Sequence, residues 1–282
     1  MTTHQDDHYK FFNFHPQVVE KYDIRNSVSM ALACKLAYEK AETIETQVKQ
    51  WGFDRFKFLE DKDSVKVDTQ AFVMGNDEAV VLAFRGTENS TDWRTDLAFS
   101  KHKTMIGGLH RGFKAGLDAV IDDVVEAVSS MRDNNQAFWV TGHSLGGALA
   151  TLATAYYRFE KQPVSGLYTF GSPRVGNKDF DSFFEPDFGR KSFRVVNGND
   201  IVTRVPPRNF GFKHVGVCMF FDADDGWTVN PGAWNKFKEQ VSITFENLGK
   251  FSSVNSHLLT GEGGYVARLL EEYKRLHPEV FA

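Results

Sequence analysis

The stretch AFWVTGHSLGGALATLATAYY, residues 137–157, constrains this chain more than any other. An apolar β-type run meets a polar break and turns at once into an alanine-rich helical pattern. A strand that feeds directly into a helix belongs to a sheet with helices packed on it. Ser144 stands at the break, with Gly142 and Gly146 two residues to either side. A tight strand-to-helix turn needs small side chains at those two positions, and it aims the serine away from the backbone at the sheet's edge. The following helix directs its N-terminal dipole at the serine and at any oxyanion that forms there. Ala148 and Ala150 suit a helix lying close against a sheet. The other reading is a glycine turn with an N-capping serine, and five residues alone do not decide between them.

The rest of the chain supplies the context. Residues 24–50 read as helix, with Val28, Leu32, Leu36 and Tyr38 inward. Residues 56–87 read as strands, with a hairpin turn at Gly75–Asp77 and a fully buried strand over 79–84. Leu117, Val120, Ile121, Val124, Val125, Val128 and Met131 recur at helical spacing. Strands are expected over 138–142 and 165–171, a helix over 144–160, and a short helix over NKDFDSFFEPDFG. A strand running to Asp200, another over 214–221 and a closing helix over about 264–276 follow, the last with Val266, Leu269, Leu270 and Tyr273 on one face. From residue 79 onward strand and helix alternate, which predicts an α/β fold with a mostly parallel central sheet flanked by helices. In such sheets reactive groups gather at the carboxyl ends of the strands.

No repeat, low-complexity run or linker divides the 282 residues, so one domain over 1–282 is expected. A hydrophobic content of 41%, with 26 Phe, is ample for a buried core. A formal net charge of −4 without a long block of like charge argues against nucleic acid as partner. No apolar run approaches the length of a transmembrane segment. The N-terminus lacks a basic stretch followed by an apolar one, so no signal peptide is read and the chain as written is expected in the cytoplasm, export by another route or processing aside. Cys34 and Cys218 are expected to be packed thiols rather than a disulfide.

A serine hydroxyl needs a base and oxyanion donors to act as a nucleophile. One donor of an elbow serine is the backbone N–H that follows it, here Leu145; the other comes from a loop after an earlier strand. Thr87, just past VVLAFRG, stands at that place, although a capping role fits it equally. For the base, His214, His257 and His277 lie downstream of the serine. His277 is close to the C-terminus and His214 begins an apolar strand, whereas His257 lies in the polar stretch SSVNSHLLTGEGGY, where a general base belongs. Asp200, at the end of SFRVVNGND, is the acid in the best context, against an Asx-turn role. Asp179, Asp181 and Asp187 fall in or beside a helix. DADDG at 222–226 lacks a glutamate at the twelfth position of a calcium loop, which is Ala233.

These pieces in this order, VVLAFRGT, DWRTDL, LHRGF, VTGHSLGGALATL, TFGSPRVGN, VVNGNDIVTRVPP and HVG, resemble the class 3 lipase family, the fungal-type lipases with an α/β-hydrolase fold. The resemblance spans roughly residues 70–265. It implies Ser144 as nucleophile, Asp200 as acid, His257 as base, and Thr87 with Leu145 as oxyanion donors, with no metal or cofactor. His214, in HVG, then becomes a structural residue. The chain departs from the family near the histidine: an aromatic residue usual within a few positions is here Tyr265, eight residues on.

The resemblance also implies a short helical lid, about 88–98. Its apolar content is limited to Trp93 and Leu97, four apart. A weak response to an oil surface and a bias toward short or medium acyl chains are therefore expected. Residues 222–240, with Trp227 and Trp234, read as a surface hairpin or as part of an acyl-binding wall. The function implied is hydrolysis of acylglycerols or related lipid esters through an acyl-enzyme, with transient contact at a lipid interface. Phospholipase A1 and feruloyl-type esterase are the alternatives within the enzyme class, and a catalytically dispensable scaffold is the alternative outside it.

Overall fold

A computed structural model describes residues 7–61, 69–87, 100–133, 135–198, 200–222, 226–229 and 257–281. The strands are β1 (Arg55–Glu60), β2 (Gln70–Gly75), β3 (Ala79–Phe84), β4 (Lys101–Thr104), β5 (Gly107–His110), β6 (Ala137–His143), β7 (Gly166–Phe170), β8 (Ser192–Asn197), β9 (Val217–Asp222) and β10 (Gly226–Val229). The α-helices are α1 (Ile24–Leu36), α2 (Ala41–Gln50), α3 (Arg111–Asp118), α4 (Ile121–Met131), α5 (Leu145–Phe159), α6 (Lys178–Phe188) and α7 (Tyr265–Leu276). Among the described residues, the main sheet has the order β1-β2-β3-β6-β7-β8-β9-β10. The run β3-β6-β7-β8-β9 is parallel; β1 and β2 extend it as an antiparallel meander, and β10 turns back along β9. This is the α/β architecture expected from the alternation of elements.

The continuous apolar run of β3 has its cause in the two covered faces. Val80, Leu82 and Phe84 join one core, with Leu117, Val124 and Val128 of α3 and α4 and Leu149 and Leu152 of α5. Ala79, Val81 and Ala83, pointing the other way, join a second core with α1 and α7. Trp139 follows the same rule: its neighbours Phe138 and Val140 face the first core while it packs into the second, under Phe14 and Tyr168.

Several expected elements are subdivided. The helix over 24–50 is two helices, α1 and α2, separated by a turn at 37–40 in which Glu39 N–H donates to the Leu36 carbonyl. The break carries Tyr38 off the helix and toward the end of β6, where its hydroxyl meets His143. The helix over 117–131 is likewise α3 and α4, because Val120 adopts φ −132°, ψ −2°. Leu117, Val120 and Ile121 still face one core, which is why their periodicity hides the break. β8 ends at Asn197, and a turn with Gly198 at φ 42° carries the chain to Asp200. The last expected strand starts at Val217, not His214. The hairpin β4–β5 was not anticipated. Cys34 and Cys218 are both free thiols; burial pushes the Cys34 thiol up to about 12, against a hydrogen bond with Thr141. Residues 88–98 and Trp234 lie outside the described residues, as do 223–225. Among the described residues no helix is long and apolar enough to cross a membrane.

Candidate active site

β6 delivers Ser144 to the carboxyl edge of the sheet, between β3 and β7. Ser144 has φ 57° and ψ −125°, a strained conformation for a residue with a side chain, and its N–H is held by the Phe170 carbonyl at 2.9 Å. Both flanking glycines are required by contact. A Cβ on Gly142 would overlap the carbonyl of Gly146 and come within 2.7 Å of Gly147 N. One on Gly146 would overlap the Phe84 carbonyl oxygen and lie 2.9 Å from the Arg85 carbonyl carbon. The turn is therefore a packed elbow wedged against the end of β3.

The three residues singled out from sequence converge. His257 Nε2 lies 2.9 Å from Ser144 Oγ, and His257 Nδ1 lies 3.0 and 2.9 Å from the two carboxylate oxygens of Asp200. A carboxylate only accepts, so Nδ1 carries the proton and the Nε2 lone pair faces the serine hydroxyl. Asp200 is fully buried, yet its carboxylate also accepts from the Val202 N–H at 2.8 Å and from the Tyr265 hydroxyl at 2.6 Å. Those donors offset the cost of burying the charge. Ser144 and His257 are 1% and 4% exposed. The elbow thus aims the serine off the sheet, but its hydroxyl is covered rather than open as the motif alone suggested.

Thr87 follows β3 and is half-buried. The preceding Gly86 brings this loop against the elbow: a Cβ there would lie 2.7 Å from the His143 carbonyl oxygen and 3.4 Å from Ser144 Cβ. Leu145 is the first residue of α5, where backbone N–H groups have no intrahelical acceptor. The head of α5 and the loop that carries Thr87 thus both lie against the elbow at Ser144.

The other candidates are accounted for elsewhere. His214 bonds the Thr203 carbonyl at 2.6 Å, and burial together with Arg194 and Arg174 holds its pKa well below the ordinary value. His277 pairs with Glu279 near the surface. Asp181 pairs with Lys213 and Asp187 with Arg158, while Asp179 lies in the first turn of α6. Among the described residues no three His, Cys, Asp or Glu side chains converge as metal ligands. The lid residues Trp93 and Leu97 are outside the described residues, and only the backbone of Trp227 is described, in β10.

Three contributors escaped sequence reasoning. His143 is buried beneath the base, its ring 4.8 Å from that of His257 and inclined by 29°. Its Nε2 donates to the His257 carbonyl at 2.8 Å and its Nδ1 lies 3.1 Å from the Tyr38 hydroxyl. Burial, then the neighbouring His257, pushes its pKa down to about 3, so it is a neutral strut under the base. Tyr265, at the start of α7, donates to Asp200 and accepts from the Asn197 N–H at 3.1 Å. Gly171, at φ 60°, makes room for the pair, since a Cβ there would lie 2.8 Å from Asp200 Oδ2 and 3.1 Å from His257 Nδ1. The eight-residue gap between His257 and Tyr265 closes because Tyr265 N–H and Val266 N–H return to the Leu258 and Leu259 carbonyls, across glycines with positive φ at 261 and 263. Position in space, which spacing did not show, puts the tyrosine at the acid.

A mostly parallel sheet with a serine elbow, a histidine and a buried aspartate at its carboxyl edge defines an α/β-hydrolase. Residues 81–210 match the family described as Lipase (class 3). The chain is 31% identical to a triacylglycerol lipase, OBL1, of Arabidopsis thaliana over 68% of this chain and 48% of that protein. It is 38% identical to secreted mono- and diacylglycerol lipase 1 of Fusarium solani over 54% of this chain and 47% of that protein. The chain thus spans about half the length of these relatives. Among solved structures it superposes on lipase II from Rhizopus niveus with a TM-score of 0.61 and 26% identity, over 73% of this chain and 84% of that one.

Proposed function

We propose that the chain is a serine hydrolase that cleaves acylglycerol or related lipid esters through an acyl-enzyme. The observation that carries the reading is the line from Asp200 through His257 to Ser144 Oγ, with both outer hydrogen bonds at 3.0 Å or less. His257 takes the serine proton as Oγ attacks the ester carbonyl. Asp200 stabilises the imidazolium and keeps its tautomer. The oxyanion is received by the Leu145 N–H at the head of α5 and by the Thr87 loop. His257 then protonates the leaving alcohol, and the same steps with water release the acid. The relatives' names support acylglycerols as the substrate class.

A low apolar content over residues 88–98 supports a weak response to interfaces and a bias toward short or medium acyl chains. Because Ser144 is 1% exposed, covering groups must move aside before an ester reaches it. The decisive test is Ser144→Ala, assayed with p-nitrophenyl butyrate and with tributyrin below and above its solubility limit. The expected result is a loss of about 10³-fold or more in kcat for both substrates, and for the unaltered protein no sharp rise at the limit. A Ser144→Ala protein with undiminished turnover would refute the assignment.

A further inference from the structure

The hairpin β4–β5 has a sequence its fold does not explain. Thr104 pairs with Gly107, so the connecting loop is the two residues Met105 and Ile106. Loops of that length favour Asn, Asp and Gly. Here the tip is a methionine 86% exposed to solvent. The tip is not loose: Thr104 Oγ1 donates to the Gly107 carbonyl at 2.7 Å and accepts from the Ile106 N–H. Its base is docked on the start of α6, where Gly108 N–H donates to Asn177 Oδ1 at 3.0 Å and Asn177 N–H returns to the Gly108 carbonyl at 2.9 Å. A rigid arm therefore holds one large apolar side chain out in water.

The two chain segments that meet at the arm are predominantly basic. Between Asp96 and Asp118 the chain carries Lys101, Lys103, Arg111 and Lys114 and no acidic residue, within a protein of net charge −4. Between Asp187 and Asp222 it carries Arg190, Lys191, Arg194, Arg204, Arg208 and Lys213, and the only acid there is Asp200, which is buried against His257. The fold joins the two basic segments: Gly176 bridges both Leu109 and Lys213, and the Lys101 ammonium lies 5.0 Å over the Phe212 ring. Lys101, His102 and Lys103 of β4 are exposed, as are Arg208, Phe210 and Lys213. Acids border this face too: Asp179 lies beside Gly107, Asp181 is engaged by Lys213, Asp118 by Lys114, and Glu185 accepts from the Gly216 N–H.

We propose that this face, with Met105 at its tip and Lys101 and Lys103 behind it, docks the protein on an anionic lipid surface. A cationic ring around an exposed apolar wedge matches the boundary between charged headgroups and acyl chains. A soluble polyanion would reward the lysines but not the methionine. The purpose of the docking rests on the proposed action on lipid esters; the surface itself does not. Adsorption would then come from this arm, which suits a chain whose residues 88–98 carry only Trp93 and Leu97 as large apolar side chains.

The test is co-sedimentation of the Ser144→Ala protein, which leaves the lipid intact, with phosphatidylcholine vesicles and with vesicles of 70% phosphatidylcholine and 30% phosphatidylglycerol. Binding is expected to the phosphatidylglycerol vesicles only, and to fall as salt is raised. Lys101→Gln with Lys103→Gln should weaken it by about 30-fold, roughly five-fold per lysine. Met105→Ser should weaken it several-fold while leaving the salt dependence in place. In the Ser144 background these variants should hydrolyse soluble p-nitrophenyl butyrate normally. Equal binding to both vesicle types, no binding, retention on heparin without vesicle binding, or variants that bind like the parent would overturn the proposal. Loss of vesicle binding with retained ester turnover would strike the docking surface alone, and retained turnover in Ser144→Ala would strike the catalytic reading alone.

Discussion

At the residue scale, the candidate site is built from groups that hold other groups. Asp200 is positioned by the Val202 N–H and the Tyr265 hydroxyl, and His257 by Asp200 on one side and by the His143 strut on the other. Tyr265→Phe removes a charge-assisted hydrogen bond of roughly 1.5–3 kcal/mol without opening a cavity. The expected outcome is a 10- to 100-fold fall in kcat/KM. A merely structural role for Tyr265 would lower stability and leave kcat/KM per folded molecule unchanged. Ser144, Asp200 and His257 were legible as residue types in order along the chain. His143 and Tyr265 were not, because their roles depend on a ring stacking beneath the base and on a loop that folds back over two glycines.

At the scale of elements, the strand–elbow–helix unit β6–α5 works only against its neighbours. Gly146 lies against the Phe84 and Arg85 backbone at the end of β3, so the Ser144 elbow and the loop that leads to Thr87 are packed on each other. Gly146→Ala should push these apart. The expected cost is about 1–3 kcal/mol of overpacking, read as a lower denaturation midpoint, together with a loss of ester turnover larger than that destabilisation explains. Turnover falling no further than the folded fraction would argue that the loop does not serve the oxyanion. The need for small residues at 142 and 146 was readable from the motif; the partner that enforces it at 146 was not. The same limit explains the divided helices. Apolar spacing reports which face is buried, and Leu117, Val120 and Ile121 stay on one face whether or not the axis breaks between them.

At the scale of the whole molecule, three histidines are folded in the neutral form. Burial pushes His110 down to about 4. Burial and His257 push His143 down to about 3, and burial with the nearby arginines holds His214 well below its ordinary value. In the unfolded chain each titrates near 6.5. Below that pH the unfolded chain takes up protons that the native protein does not, so stability present above about pH 6.5 is lost as the pH falls toward 4. Each histidine contributes a slope of about 1.4 kcal/mol per pH unit. The melting temperature should therefore drop steeply from pH 6.5 to 4.5, and a flat profile over that range would contradict the buried neutral assignment. What the sequence by itself determined is local and periodic: the alternation that demands a covered parallel sheet, the glycines that permit the elbow, and the order of serine, acid and base. Only the tertiary structure decided which histidine braces the base, which tyrosine reaches the acid, and that two separate basic segments meet beside one exposed methionine. Those outcomes turn on contacts between residues far apart in the chain, and such contacts leave no period, spacing or composition for a reader of the sequence to find.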